Sequence, residues 1–318
     1  MHPSLSVIAF TTLSGAGYGL LALLGLGLAL DAPLPAGGGF PLAALAALAL
    51  ALGLITVGLL CSLLHLGQPR RAWRALSQWR SSWLSREGVM ALLTYVPALA
   101  LGWALVSRAP GDLLRVLGVA ALALALATVW CTAMIYASLK TIRAWRNGFV
   151  PAAYLAYALV AGAALSAVPA ALAGWRPGPT GATAFALAVA ALAAIKLAYW
   201  RWLDGGAHPA TPESATGLGA HGRVRSFERP HTQESFVTRE MAFVLARRHA
   251  RMLRVAALAL LALAPALLLA LALLAPRLTL PAAAVAALAL LAGGFLDRWL
   301  FFAEARHVVS LYFGAARA

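Results

Sequence analysis

CSLLHLGQPRRAWRALSQWRSSWLSREG, residues 61–88, is a polar seam between two apolar runs, near 41–66 and 87–107. Each run is long enough to cross a bilayer, since a span needs about 20 apolar residues to cover about 30 Å of hydrocarbon. The seam carries Arg70, Arg71, Arg74, Arg80 and Arg86, interleaved with Trp73, Trp79 and Trp83. Indoles and guanidinium groups flanking apolar runs mark a membrane–water interface. From Pro69 to about residue 84, Trp73, Leu76, Trp79 and Trp83 recur at helical spacing, so this segment is expected to form a short interfacial helix. A solvated loop with an aromatic belt is the competing reading.

Outward from the seam the same test finds six more spans, near 5–30, 112–139, 150–174, 181–203, 252–275 and 281–303. The breaks between them hold helix-ending residues: Pro33 with Gly37 to Gly39, Pro110 with Gly111, Pro177 with Gly178, and Pro276. Period-two alternation is absent, and backbone groups in lipid must be satisfied within each segment, which selects helices over a barrel. The expected fold is all-α: a polytopic membrane bundle of eight transmembrane helices. It is read as a single integral membrane domain over 1–318, with one sizeable polar loop at 205–250. The opening MHPSLSVIAFTTLSGAGYGLL lacks the Lys/Arg region of a secretory signal and is read as a retained first span.

Composition supports this. The chain has 318 residues, of which 62% are hydrophobic and 11% charged, too apolar for a soluble surface. Its net charge of +15 does not point to nucleic acid, because the cations sit between apolar runs. Of the 25 Lys and Arg, only Arg108, Arg115, Arg176 and Arg277 fall on one side of the alternating topology. The positive-inside rule then puts the other side and both termini in the cytoplasm, as in a multi-pass protein of a bacterial inner membrane. A basic docking face for an acidic partner gives the same bias. Cys61 and Cys131 form no CxxC or Cys/His spacing, so no disulfide, zinc or iron–sulfur site is expected. The four histidines of the polar loop, His208, His221, His231 and His249, have irregular gaps, and the loop is read as a partner contact or a disordered segment.

Ionisable groups at membrane depth are costly and are functional candidates by default. His65 stands just inside the span before the seam and Glu87 just inside the span after it, at one membrane face. A quinone headgroup needs hydrogen bonds at its oxygens and a route for two protons; an imidazole and a partly buried carboxyl supply both. A carbonyl-bonded histidine and a dipole-stabilised acid at a helix start are the structural alternatives. Arg86 lies beside Glu87. Thr132, Tyr136 and Lys140 fall at i, i+4 and i+8, so Tyr136 and Lys140 are placed to line the same pocket, with membrane-edge anchoring the competing role for Lys140. Arg70, Arg71 and Arg74 are candidates for partner docking. Asp297, Glu304 and His307, with Arg298 the nearest cation, read as a buried acid–base network in the last span, while Lys196 and Asp204 suit snorkelling. No metal ligand set is expected. Only His65 and His307 are candidates for axial haem ligands, so a paired-histidine haem is not expected and electrons must go to a cofactor in another polypeptide.

The opening, HLGQPRRAWRALSQWRSSWLSREG, MIYASLKTIRAW and the C-terminal DRWLFFAEARHVVSLYF resemble the membrane anchor subunit family of dimethyl sulfoxide reductase-type molybdoenzymes, the DmsC type. The resemblance implies a haem-free anchor, with no covalently bound cofactor and no role in terminal-substrate chemistry. It implies as partners a four-cluster ferredoxin-like iron–sulfur subunit and a molybdopterin catalytic subunit. The anchor of such a complex exchanges electrons with menaquinol or ubiquinone in anaerobic electron transport, and the family's quinol-site histidine and glutamate correspond to His65 and Glu87. Within the family, the opening and the RWLFFAEARHVV ending are most similar to anchors of sulfite-oxidising enzymes, which implies electron flow toward quinone. A secondary transporter and a passive membrane tether without a quinone site are the alternatives.

Overall fold

A computed structural model describes residues 4–30, 40–64, 66–205, 210–225, 227–228 and 249–313. Its described residues hold helices and no strand. Six long helices come first: α1 (Leu5–Ala29), α2 (Phe40–Leu63), α3 (Trp83–Val106), α4 (Gly111–Ala137), α5 (Phe149–Leu172) and α6 (Pro179–Asp204). A short helix, α7 (Pro212–Thr216), precedes two more long ones, α8 (Ala250–Leu274) and α9 (Thr279–Ala303). Eight of these are long and apolar enough to cross a membrane, as the sequence predicts, with ends within a few residues of those expected.

α1 is the centre of the bundle, packed by α2, α4, α5 and α9. Lipid is as apolar as leucine, so helices in a membrane associate through close packing rather than burial from water, and small residues let backbones meet. Gly19 of α1 and Gly162 of α5 each abut the other helix's backbone, so a methyl group at either position has no room. α8 carries one widened turn, a π-helical Ala259–Leu263, immediately before Pro265. Proline has no amide hydrogen and its ring crowds the preceding turn, and the wider turn absorbs both defects.

The interfacial segment is helical, as expected, but shorter than the stretch to residue 84 and not of α type. It is a 3-10 helix over Pro69–Gln78, and α3 begins at Trp83 rather than near residue 87. The reason is tertiary: Ser85 donates its hydroxyl proton to the Ala75 carbonyl, and Leu76 reaches Gly88. The segment is thereby strapped across the first turns of α3, leaving Trp73 and Trp79 exposed.

Part of the polar loop falls within the described residues. α7 starts with a capping box between Thr211 and Ser214, and Gly217 closes it in the left-handed conformation. Backbone N–H groups, that of Val224 at 3.0 Å among them, hold the Glu213 carboxyl below its ordinary range. The Tyr312 hydroxyl donates to the Ala215 carbonyl at 3.3 Å, tying α7 to the C-terminal segment. His208 and His231 lie outside the described residues.

Candidate functional site

α3 presents Glu87 to the bundle one turn in from its start, at 5% exposure. Thr132 of α4 donates to its Oε1 at 3.4 Å, the one side-chain hydrogen bond Glu87 makes among the described residues. No cation pairs with it there. Below it runs a file of hydroxyls: Thr132 also reaches the Thr128 carbonyl at 3.0 Å, and Thr128 and Thr94 share a hydrogen bond at 3.2 Å across the α3–α4 contact. The spacing explains the file. Glu87 and Thr94 are seven apart on α3 and Thr128 and Thr132 four apart on α4, so each pair shares a helix face. Tyr18 of the central helix is fully buried, lies within electrostatic reach of Glu87, and its hydroxyl has no hydrogen-bond partner among the described residues. Tyr95 of α3 shares a hydrogen bond with Thr56 at 2.6 Å, fixing α3 to α2.

His65 lies outside the described residues; α2 ends at Leu63, two residues before it. Arg86 turns away from the bundle. Its Nε donates to the Trp79 carbonyl at 3.0 Å and its Nη2 to the Arg80 carbonyl at 2.7 Å, with the guanidinium stacked over Trp83 at 4.3 Å. It therefore holds the end of the 3-10 segment against α3 and is not directed at Glu87. Tyr136 is buried in an aromatic cluster, edge-on to Trp145, Phe301 and Phe302 at 5.3–5.5 Å between ring centres. Lys140 is exposed. The helix face that would align it with Tyr136 stops at Ala137, because the following loop folds inward: the Trp145 indole donates to the Phe301 carbonyl at 3.0 Å and the Tyr199 hydroxyl to the Ala144 carbonyl at 3.1 Å. Arg70, Arg71 and Arg74 are all exposed on the 3-10 segment, at the same end of the bundle as Lys140, Arg146, Arg201, Arg251 and Arg306.

The polar stripe of the last span is a network, but with partners other than those read from sequence. Lys196 does not snorkel; it is buried and pairs with Asp297 at 2.5 Å. Arg254 of α8 forks onto Asp204, at 2.6 and 3.0 Å, and reaches Glu304 at 2.9 Å. His307 lies past the end of α9, where its Nδ1 accepts the Val309 N–H at 3.0 Å. The hydroxyl file and Tyr18 are not singled out by the sequence reading. The i, i+7 spacing of Glu87 and Thr94 is the signal that could have found the first, whereas nothing local distinguishes Tyr18 from a core tyrosine. A separate apolar cavity of about 200 Å³ lies between α5, α6, α8 and α9, lined by Ala164, Ala182 and Ala286 with Trp175 at one end. None of the sequence-derived site residues lines it.

The chain is also similar to known proteins. The model of the family described as "DMSO reductase anchor subunit (DmsC)" matches residues 1–303. A sulfite dehydrogenase subunit of Allochromatium vinosum is 34% identical, over 98% of this chain and 99% of that protein. The anaerobic dimethyl sulfoxide reductase chain YnfH of Escherichia coli is 30% identical over 36% of this chain and 40% of that protein.

Proposed function

The chain belongs to the DMSO reductase anchor subunit (DmsC) family, and from that premise we propose that it is the haem-free, quinone-reactive anchor of a molybdopterin oxidoreductase complex. It sits in the bacterial inner membrane with both termini in the cytoplasm, and binds no cofactor covalently. Its exposed arginines Arg70, Arg71 and Arg74, with the other cations at that end, dock an iron–sulfur subunit, which in turn carries a molybdopterin catalytic subunit. Ubiquinone or menaquinone binds beside Glu87 and His65. Two electrons pass between the headgroup and the nearest partner cluster, and two protons pass between its oxygens and the two side chains. The full-length similarity to a sulfite dehydrogenase subunit favours flow from a sulfite-like substrate to quinone.

Glu87 is the observation that carries this reading. A carboxyl group buried without a cation is expensive, and it is retained where a proton has to be handled. At Glu87 the group lies one turn inside the arginine-rich end, next to the chain leading from His65. Electrons arriving in a docked subunit therefore have a short path to a headgroup held there, and protons have a short path to water. Reconstitution tests the proposal. The assembled complex in liposomes is expected to turn over with a short-chain ubiquinone or menaquinone analogue, and the soluble partners without this chain are expected to turn over with artificial dyes only. Quinone-coupled turnover by the soluble partners alone would make the chain a passive tether.

A further inference from the structure

Arg298 of α9 is 2% exposed and has no hydrogen bond or ion pair among the described residues. Its guanidinium lies over the Tyr154 ring, 3.4 Å from the ring centre, with Tyr157 at 5.6 Å. Arginine does not shed its proton in a protein, so the charge stays and needs compensation. The nearest carboxylate in sequence, Asp297, is engaged by Lys196 at 2.5 Å. Glu304 is held by Arg254, together with Asp204. That triad carries one surplus negative charge, shared between Asp204, whose side chain is 63% exposed, and the buried Glu304, whose Oε2 has no hydrogen-bond partner among the described residues. Among Lys196, Arg298 and Asp297 one positive charge, that of Arg298, is left at membrane depth with no carboxylate in contact with it among the described residues.

Both cations border a small cavity of about 10 Å³. Tyr154, Tyr199, Phe149 and Phe301 line it too. That volume is at the threshold for a single solvent-sized particle. The Tyr154 hydroxyl is buried with no partner among the described residues. Phe149 and Val150 are the first two residues of α5, so the positive end of that helix's dipole also borders the cavity. Two buried cations, an unpartnered hydroxyl and a helix start meet at one particle-sized space.

We propose that Lys196, Arg298 and Tyr154 form a binding site for one small monovalent anion of halide size. The anion neutralises Arg298, accepts the Tyr154 hydroxyl proton in a hydrogen bond, and links α5, α6 and α9 at the end of the bundle that carries the basic surface. The site is independent of the quinone reading, since Glu87 takes no part in it.

The test is thermal melting of the purified full-length chain in sodium chloride, sodium bromide and sodium gluconate at one ionic strength. Chloride and bromide are expected to raise the midpoint saturably by about 3 °C or more over gluconate. Arg298→Gln is expected to abolish the difference. Asp297→Asn removes the carboxylate that engages Lys196 and leaves two unpaired cations at the cavity, so it is expected to bind chloride about tenfold more tightly while melting lower in gluconate. This second variant has the opposite sign from general destabilisation, and it carries the test if Arg298→Gln fails to fold. Bromide anomalous scattering beside Arg298 gives the position. Equal midpoints in the three salts for the unsubstituted chain, or weaker chloride binding by Asp297→Asn, overturn the proposal, as does a neutral water at the site in bromide.

Discussion

Replacing Glu87 with glutamine is expected to lower quinone-coupled turnover of the assembled complex by about 100-fold or more, the range lost when a positioned proton-transfer group is removed. Glutamine has the same shape, and its amide oxygen can still accept the Thr132 hydroxyl now 3.4 Å from Oε1. Packing and assembly should therefore survive, and dye-linked activity of the same preparation should be unchanged. Only the ability to take up and release a proton is lost. Thr132→Val removes the donor and leaves the carboxyl, so a much smaller loss is expected. Assays of one preparation with a quinone analogue and with a dye separate these outcomes. Equal activity of Glu87→Gln and the parent chain with quinone would remove Glu87 from the site.

Lys196→Met is expected to be strongly destabilising. Lys196 lies eight residues before the end of α6, about 12 Å of helix. It is buried against Tyr199 and Trp200, at 4.9 Å from each ring centre, and pairs with Asp297 of α9. Taking away one member of such a pair leaves a buried charge unpaired and typically costs about 3–5 kcal/mol. Replacing both, as Lys196→Met with Asp297→Leu, removes the charge together with its desolvation penalty, so most of the loss is expected to return. Thermal inactivation of the purified complex measures both variants. A double variant no more stable than the single one would mean that the pair is held in place for something other than α6–α9 docking.

The spans are more legible in the sequence than the contacts between them. Each span is an uninterrupted apolar run bounded by glycine, proline or arginine, and that is a local property. What a span touches is not local. Lys196 and Asp297 are about a hundred residues apart, and in an all-round apolar helix no hydrophobic stripe tells which face turns inward. Sequence proximity therefore sets Asp297 beside its chain neighbour Arg298, although successive residues on a helix point in different directions. The same limit applies to Lys140: the helical count from Tyr136 is sound only while the helix continues, and the Trp145 contact with α9 ends it. Arg86 is the chain neighbour of Glu87, yet its donors go to two carbonyls at the end of the 3-10 segment. Glu87 is legible only as a candidate, because the helix dipole also favours an acid at a helix start; its burial against Thr132 is what the structure adds.

A redox headgroup bound at the arginine-rich end, between α3 and the chain leaving α2, is the centre of the proposed mechanism. Photo-crosslinking of the reconstituted complex with a quinone carrying a reactive group on its ring, followed by peptide mapping, tests it most directly. The expected labels fall within residues 61–66 and on α3 near Glu87, and excess unlabelled quinone suppresses them. Labels confined to the apolar cavity around Ala164, Ala182 and Ala286, equally suppressed, would contradict it.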